Sequence, residues 1–174
     1  MAVKASSKTL AVMALFIALS FVGSHVKIFG TVAFDSLPGF VAALLLGPAY
    51  GAAIGFLGHL CTALTSGFPL SLPMHLVVAS TMAITMLGFG LTYNLLKNRV
   101  SQAMSFTVTG VAGVLLNGPV SLAFSMLALA FLAGRQAAMG LIVLLPALIL
   151  ASVANITIGI FLFKYLERVW QKSE

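Results

Sequence analysis

Charged side chains are scarce in this sequence. Nine Lys or Arg and three Asp or Glu make up 7% of its 174 residues, while 61% of the residues are hydrophobic. A soluble globular protein carries about 25% charged residues, and a disordered chain has low hydrophobicity. Both classes are therefore excluded. The basic residues lie in connectors and at the two ends, not on one helical face, which argues against nucleic-acid binding.

Cysteine and catalytic motifs are also missing. A single cysteine, Cys61, excludes an internal disulfide and a multi-cysteine metal site. No HExxH, CxxC, GxSxG, Walker A or GxGxxG motif occurs, and no acid follows either His59 or His75 at zinc-site spacing. Asp35 is the one acid outside the C-terminal tail, so no intramembrane carboxylate is available to relay protons. We therefore expect no enzymatic activity, no catalytic residue, no cofactor and no bound metal.

Long apolar runs, divided by Gly, Pro and charged residues, fill the chain. A spanning helix needs about 20 mostly apolar residues. Gly47 and Pro48 divide what would otherwise be one long second span, because Gly caps helices and Pro ends them. Another interruption is expected at Asn117-Gly118-Pro119. We predict an all-α membrane protein, a compact bundle of six transmembrane helices forming one domain over residues 1–174. Its helices cover about residues 9–26, 38–47, 49–64, 74–96, 103–132 and 137–163.

The distribution of basic residues tests the number of helices. With a cytoplasmic N-terminus, six helices place seven of the nine basic residues inside and leave Lys27 and Arg135 outside. Merging the second and third helices would leave three inside and six outside. The pattern favours six helices with both termini in the cytoplasm. Lys4 and Lys8 before the first apolar run also fit a signal peptide, but an uncleaved first helix is the simpler interpretation.

Two stripes of small residues follow helical spacing. Such stripes let helix backbones approach closely in lipid. The stripe on the third helix, beginning at Gly47, Gly51 and Gly55, indicates packing within the bundle. The stripe on the first helix leaves two interpretations open, packing within the chain and a docking face for another membrane subunit. It consists of Ala11, Ala14 and Ala18.

Polar residues in the apolar segments converge on the outward half of the predicted bundle. Polar side chains at membrane depth usually face a cavity or a partner, so we expect a pocket that opens outward. Each residue also has a structural interpretation: a helix cap or ion pair for Asp35, hydrogen bonds between helices for the His and Asn residues, and a backbone carbonyl freed by Pro119 for Asn117. The candidate ligand-binding residues are Lys27, Asp35, His59, Phe68, His75, Asn117, Arg135 and Asn155.

Aromatic ligands would have few stacking partners. The one tryptophan, Trp170, lies in the C-terminal tail. A ring in the pocket would therefore have to stack on a phenylalanine or tyrosine. The candidates are Phe34, Phe68 and Tyr93.

Two stretches of the sequence resemble the substrate-binding S components of energy-coupling factor (ECF) transporters. The first is Lys8–Ala18, which carries the family's alanine motif at Ala14 and Ala18. The second runs from Asp35-Ser36-Leu37-Pro38 through Leu46–Gly51 and Gly55 to Phe68-Pro69. The length and the six predicted helices agree with this family, and the resemblance covers nearly the whole chain.

The resemblance implies a transport mechanism in the cell membrane of a prokaryote. Substrate would bind from outside, beneath the loops that join helices one to two, three to four and five to six. The alanine face, at Ala11, Ala14 and Ala18, would dock on a transmembrane coupling subunit. Two ATPase subunits would then energise release inward as the S component topples in the bilayer. By position, His75, Asn117 and Asn155 would belong to the pocket.

The resemblance also suggests a substrate class. S components bind vitamins or their precursors, and the second stretch looks most like members assigned to α-ribazole or other cobalamin precursors, and next to those assigned to pantothenate. One acid and two bases outside fit a neutral or weakly anionic ligand. The alternative is a small autonomous membrane facilitator or a membrane-embedded enzyme, in which the purified chain alone would transport or convert its substrate. The missing catalytic motifs favour the binding subunit.

Overall fold

The computed structural model describes residues 6–25, 27–28 and 32–171, with the backbone alone for residues 27, 28, 32, 33 and 171. Apart from one short hairpin, regular structure in these ranges is helical. The hairpin pairs β1 (Lys27–Ile28) with β2 (Val32–Ala33) in antiparallel register. The α-helices are α1 (Ser7–Gly23), α2 (Leu37–Leu45), α3 (Pro48–Thr65), α4 (Leu72–Leu96), α5 (Gln102–Leu115), α6 (Ser121–Ala133), α7 (Arg135–Gly140) and α8 (Leu145–Gln171).

These helices form six helical units, which confirms the predicted number. A π-helical turn, Leu116–Val120, joins α5 to α6 where the sequence predicted an interruption. Pro119 lies inside this turn, because a proline removes a backbone donor and the wider turn accommodates the loss. A 3-10 turn, Leu141–Leu144, joins α7 to α8.

The first and last helices of the bundle differ from the prediction in their bounds. The last helix continues to Gln171 instead of ending at Phe163, because no Gly or Pro interrupts the tail. The Lys8 ammonium lies 3.9 Å above the Trp170 ring and joins the start of α1 to the end of α8. Val26, which ends the predicted first helix, lies outside the described residues.

Three helical units are long and apolar enough to cross a membrane: Leu72–Leu96, Gln102–Ala133 and Arg135–Trp170. Large apolar side chains cover the outside of the bundle, and Phe131, Val143 and Phe161 are 84%, 74% and 73% exposed. A surface of this kind is unfavourable in water and suits lipid.

Glycine determines where the chain reverses between α2 and α3. Gly47 has a φ of +111°, a conformation that side chains disfavour, and Pro48 then begins α3. The glycine face of α3 packs directly against its neighbours. A Cβ added at Gly51 would lie 2.5 Å from the Ala43 Cβ, and one at Gly58 would lie 2.7 Å from the Ser20 Cβ. The predicted packing role is thus confirmed for Gly51 and Gly55, whereas nothing lies within 4 Å of a Cβ at Gly47, which forms the turn instead.

The hydrophobic core lies where α2, α4 and α8 meet. Phe40 and Phe89 pack edge to face with ring centroids 4.9 Å apart, and both are fully buried. The core continues along α4 into an aromatic cluster in which Tyr93 stacks on Phe106 at 5.4 Å beside Phe163. This packing fixes α4 against α8 and leaves the first turns of α4 for the site.

Substituting Gly51 with Ala tests the close packing of α3 on α2. We expect a loss of about 1–3 kcal/mol in the free energy of unfolding, because the new methyl group would overlap Ala43. Gly140→Ala is the matched control, since nothing lies within 4 Å of a Cβ there. Thermal unfolding in detergent measures both. Equal melting temperatures for Gly51→Ala and the wild type would contradict the packing argument.

Candidate functional site

A cavity of about 300 Å³ lies among the 3-10 turn Phe34–Ser36, α3, α4, the π turn, α6 and α8. Five of the eight predicted ligand residues line it, although they come from five different elements. They are Asp35, His59, His75, Asn117 and Asn155. The volume is at the lower end of the range for small-molecule sites.

One wall of the cavity carries a hydrogen-bonded chain. Asp35 lies in the 3-10 turn, His59 on α3 and His75 in the first turn of α4 after Pro73. The Asp35 Oδ2 is 3.3 Å from the His59 Nδ1, and the His59 Nε2 is 3.2 Å from the His75 Nδ1. The Asp35 and His59 side chains are 10% and 13% exposed.

The fold thus supplies the histidines with an acid that the sequence separates from His59 by 24 residues. Asp35 is bonded to His59, and α2 begins without a side-chain cap. The interpretation of Asp35 as a helix cap is therefore wrong. Within the described ranges, no three His, Cys, Asp or Glu side chains are placed to hold a metal ion.

The π turn and α8 contribute a second set of polar groups to the site. The Asn117 Nδ2 donates a hydrogen bond to the Ser152 Oγ at 2.8 Å, and this hydroxyl donates to the Leu148 carbonyl at 2.6 Å. The Asn117 amide therefore bridges two helical units, and the expectation that it satisfies a carbonyl freed by Pro119 is not what the structure shows. Asn155 lies on α8 and is 1% exposed.

Two serines on α6 belong to the site but were not predicted. Ser121 and Ser125 line the cavity one helical turn apart. The Ser121 Oγ lies 2.8 Å from the Thr81 Oγ1 on α4, and the Ser125 hydroxyl donates to the Ser121 carbonyl at 2.9 Å. The i, i+4 spacing of two hydroxyls in an otherwise apolar helix is the signal that identifies them.

Aliphatic side chains also line the cavity. They include Leu141 and Leu144 in the 3-10 turn, Leu148 on α8 and Leu122 on α6. Among the described lining residues there is no Phe, Tyr or Trp. The expected stacking on Phe34, Phe68 or Tyr93 is therefore absent from the lining, and Tyr93 belongs to the aromatic cluster of the core.

Phe68 acts on the site through His75. Its ring meets the His75 imidazole edge to face, with centroids 5.7 Å apart. The loop holds it there in an unusual conformation, with φ of +50° at Phe68 and +81° at Ser71. The Phe68 amide donates to the Ala63 carbonyl at 3.0 Å. Phe68 therefore packs against the imidazole and is not among the described lining residues of the cavity.

Two of the predicted ligand-binding residues, Lys27 and Arg135, are not among the described lining residues of the cavity. Arg135 is exposed at the start of α7, beside Gly134 and Met139. Lys27 is paired with Ala33 in the hairpin, and its side chain lies outside the described residues. Asp35 is thus the only formally charged side chain among the described residues of the lining. The electrostatics of the cavity favour a ligand without a buried anionic group.

The predicted docking stripe lies on the outside of the bundle. Ala11, Ala14 and Ala18 are exposed on α1, while Phe16 and Ser20 on the opposite face are buried. The stripe does not pack against another described helix of this chain. Of the two interpretations, the structure therefore leaves the face available for a partner.

A comparison with protein families identifies a family that matches most of the chain. The family described as ECF transporter, substrate-specific component, matches residues 8–168. This range includes both stretches on which the resemblance depends, every described residue of the cavity lining and the alanine stripe. No curated protein matches the chain.

The bridge between Asn117 and Ser152 is testable by a double-mutant cycle. We expect Asn117→Ala and Ser152→Ala to be coupled by about 0.6 kcal/mol and at most about 1.7 kcal/mol, the average and the maximum for hydrogen bonds between membrane helices. Unfolding of the two single variants and the double variant in detergent measures the coupling. Ser80→Ala replaces Ser152→Ala in the control cycle, because its hydroxyl bonds only within α4. Additive effects of Asn117→Ala and Ser152→Ala would show that the bridge contributes nothing.

Proposed function

The chain belongs to the substrate-specific components of ECF transporters, and we propose that its cavity captures a neutral vitamin precursor, with α-ribazole as the best candidate and pantothenate as the next. Membership makes the chain a multi-pass protein of the prokaryotic cell membrane and a binding component of a transporter, not an enzyme. It also implies an energy-coupling module as partner and a small molecule as substrate.

The choice between α-ribazole and pantothenate rests on the charge of the cavity. Asp35 is its only charged residue in the described lining, and no Lys or Arg is found there. Pantothenate carries a carboxylate, which would need a cation or several donors when buried. α-Ribazole is a neutral nucleoside in which a dimethyl-substituted benzimidazole is joined to ribose. It brings no charge that the cavity would have to neutralise.

The presence of both polar and aliphatic side chains in the lining also supports a nucleoside-like ligand. Leu122, Leu141, Leu144 and Leu148 offer an apolar surface for a flat ring. The polar groups of the lining offer hydrogen bonds for sugar hydroxyls. The residues we assign to the hydroxyls are His75, Asn117, Ser121, Ser125 and Asn155. His59 and Asp35 support His75, and Phe68 holds its ring in place.

The exposed alanines are the basis for the proposed docking on the energy-coupling module. Their small side chains let another helix approach the α1 backbone closely. We assign Ala11, Ala14 and Ala18 to contact with the transmembrane coupling subunit, with both chain termini on the cytoplasmic side. Two ATPase subunits complete the module in this proposal. The exposed Leu10 and Leu15 flank the stripe with apolar surface.

Ligand binding is tested by calorimetry with α-ribazole and pantothenate on the purified protein. We expect one α-ribazole per chain and weaker binding of pantothenate. Ser125→Leu should reduce the affinity for α-ribazole at least tenfold, because the larger side chain enters the cavity. Ser80→Leu is the matched control, since both hydroxyls bond the carbonyl four residues earlier but Ser80 is exposed on α4. Tighter binding of pantothenate than of α-ribazole would overturn the choice of substrate.

Docking is tested by replacing two alanines together. Ala14→Leu with Ala18→Leu should abolish copurification with the energy-coupling module and transport by the complete system, and leave ligand affinity within about twofold of the wild type. Ala103→Leu with Ala123→Leu adds the same volume at exposed positions of α5 and α6 and serves as control. Normal transport by the first pair would rule out the alanine stripe as the docking face.

A further inference from the structure

The series of hydrogen bonds from Asp35 through His59 ends at a nitrogen atom of His75. Asp35, His59 and His75 are joined at 3.3 Å and 3.2 Å, which uses one nitrogen of His75 and both of His59. The other nitrogen of His75, Nε2, is buried and has no hydrogen-bond partner in the part of the chain that the structure describes. Buried polar atoms normally have a partner. Because His75 is 8% exposed and lines the cavity, a ligand atom is the natural partner.

The proton positions in this series of hydrogen bonds can be assigned by starting from Asp35, which is an acceptor. A carboxylate only accepts hydrogen bonds, so the His59 Nδ1 carries the proton between His59 and Asp35. A neutral imidazole has one N–H group, so the His59 Nε2 is an acceptor. The His75 Nδ1 must then donate to it, and the His75 Nε2 is left with a lone pair.

This assignment applies to neutral imidazoles, the form that histidine adopts above its ordinary titration range. Asp35, His59 and His75 are the only titratable side chains in the described lining, where the other polar groups are hydroxyls and amides. Cys61 on α3 and Tyr93 on α4 lie outside it.

We infer that Asp35 and His59 hold His75 as its Nδ1–H tautomer, so that the cavity selects ligands that donate an O–H or N–H group to the His75 Nε2. The inference rests on the proposed function and narrows its substrate class to neutral donors such as sugars, polyols and amides. A ribose hydroxyl meets this requirement. A carboxylate would face the lone pair of His75 and the negative charge of Asp35.

Two substitutions of His59 separate the effect on the tautomer from a loss of packing. In His59→Gln, the side-chain amide donates to Asp35 and its carbonyl accepts from the His75 Nδ1, so the order of donors and acceptors is kept. In His59→Leu, the connection is broken and His75 is free to adopt either tautomer. Asp35→Leu removes the hydrogen bond between Asp35 and His59, at the other end of the series. It provides a second disrupting variant if His59→Leu fails to fold.

Nitrogen NMR of protein labelled with ¹⁵N-histidine reads the tautomer directly and requires no ligand. Above the ordinary titration range of histidine, we expect the wild type and His59→Gln to show His75 protonated at Nδ1 and unprotonated at Nε2. His59→Leu and Asp35→Leu should show a mixture of tautomers. His25→Gln assigns the His25 signals, which come from an imidazole bonded to the Phe21 carbonyl. A protonated Nε2 in wild-type His75, or an unchanged His75 spectrum in both disrupted variants, would overturn the inference.

Calorimetry with α-ribazole tests the selection. His59→Gln should bind within about threefold of the wild type, and His59→Leu and Asp35→Leu at least tenfold more weakly. Equal binding by all four proteins would overturn the selecting role of His75. If α-ribazole does not bind the wild type, the proposed substrate is wrong, and the NMR spectra still decide whether the tautomer is fixed.

Discussion

Glycines on one face of α3 let this helix lie within contact distance of α1, α2 and α4, and the cavity depends on that approach. Gly51 meets Ala43, Gly55 meets Met86 and Gly58 meets Ser20. In lipid, where apolar side chains gain nothing by leaving the solvent, close backbone packing is a main source of helix association. Side chains larger than hydrogen at these positions would push α3 outward.

The position of α3 in turn brings the polar groups of the site together. His59 follows Gly58 directly, so the contact between Gly58 and Ser20 holds the imidazole near both Asp35 and the start of α4. Placing three polar side chains in an apolar bundle is costly unless they satisfy one another. The bonds from Asp35 to His59 and from His59 to His75 meet this requirement except at one nitrogen. That remaining atom, the His75 Nε2, is the one that can discriminate between ligands.

Much of the fold could be predicted from the sequence because its signals are local. Apolar length, Gly47-Pro48 and the charge pattern led to six helices, and the interruption at Pro119 was found from the proline alone. The sequence could predict that Asp35, His59 and His75 lie in the same region. It could not predict the hydrogen bonds that join them, because these depend on how three elements pack. Ser121 and Ser125 were missed because hydroxyls are common in membrane helices and most bond their own backbone. The β1–β2 hairpin was missed because two-residue strands have no detectable periodicity.

The arrangement of α1 relates the two surfaces that transport requires. One side of this helix carries the exposed alanines, and the other carries Ser20, which contacts Gly58 next to His59. The surface assigned to the coupling subunit and the support of the ligand site are therefore on opposite faces of a single helix. Because Gly58 has no side chain, the short Ser20 side chain packs directly against the α3 backbone, and little space is left between α1 and α3. A partner that binds the alanine face thus contacts the helix against which the ligand-binding histidines are held.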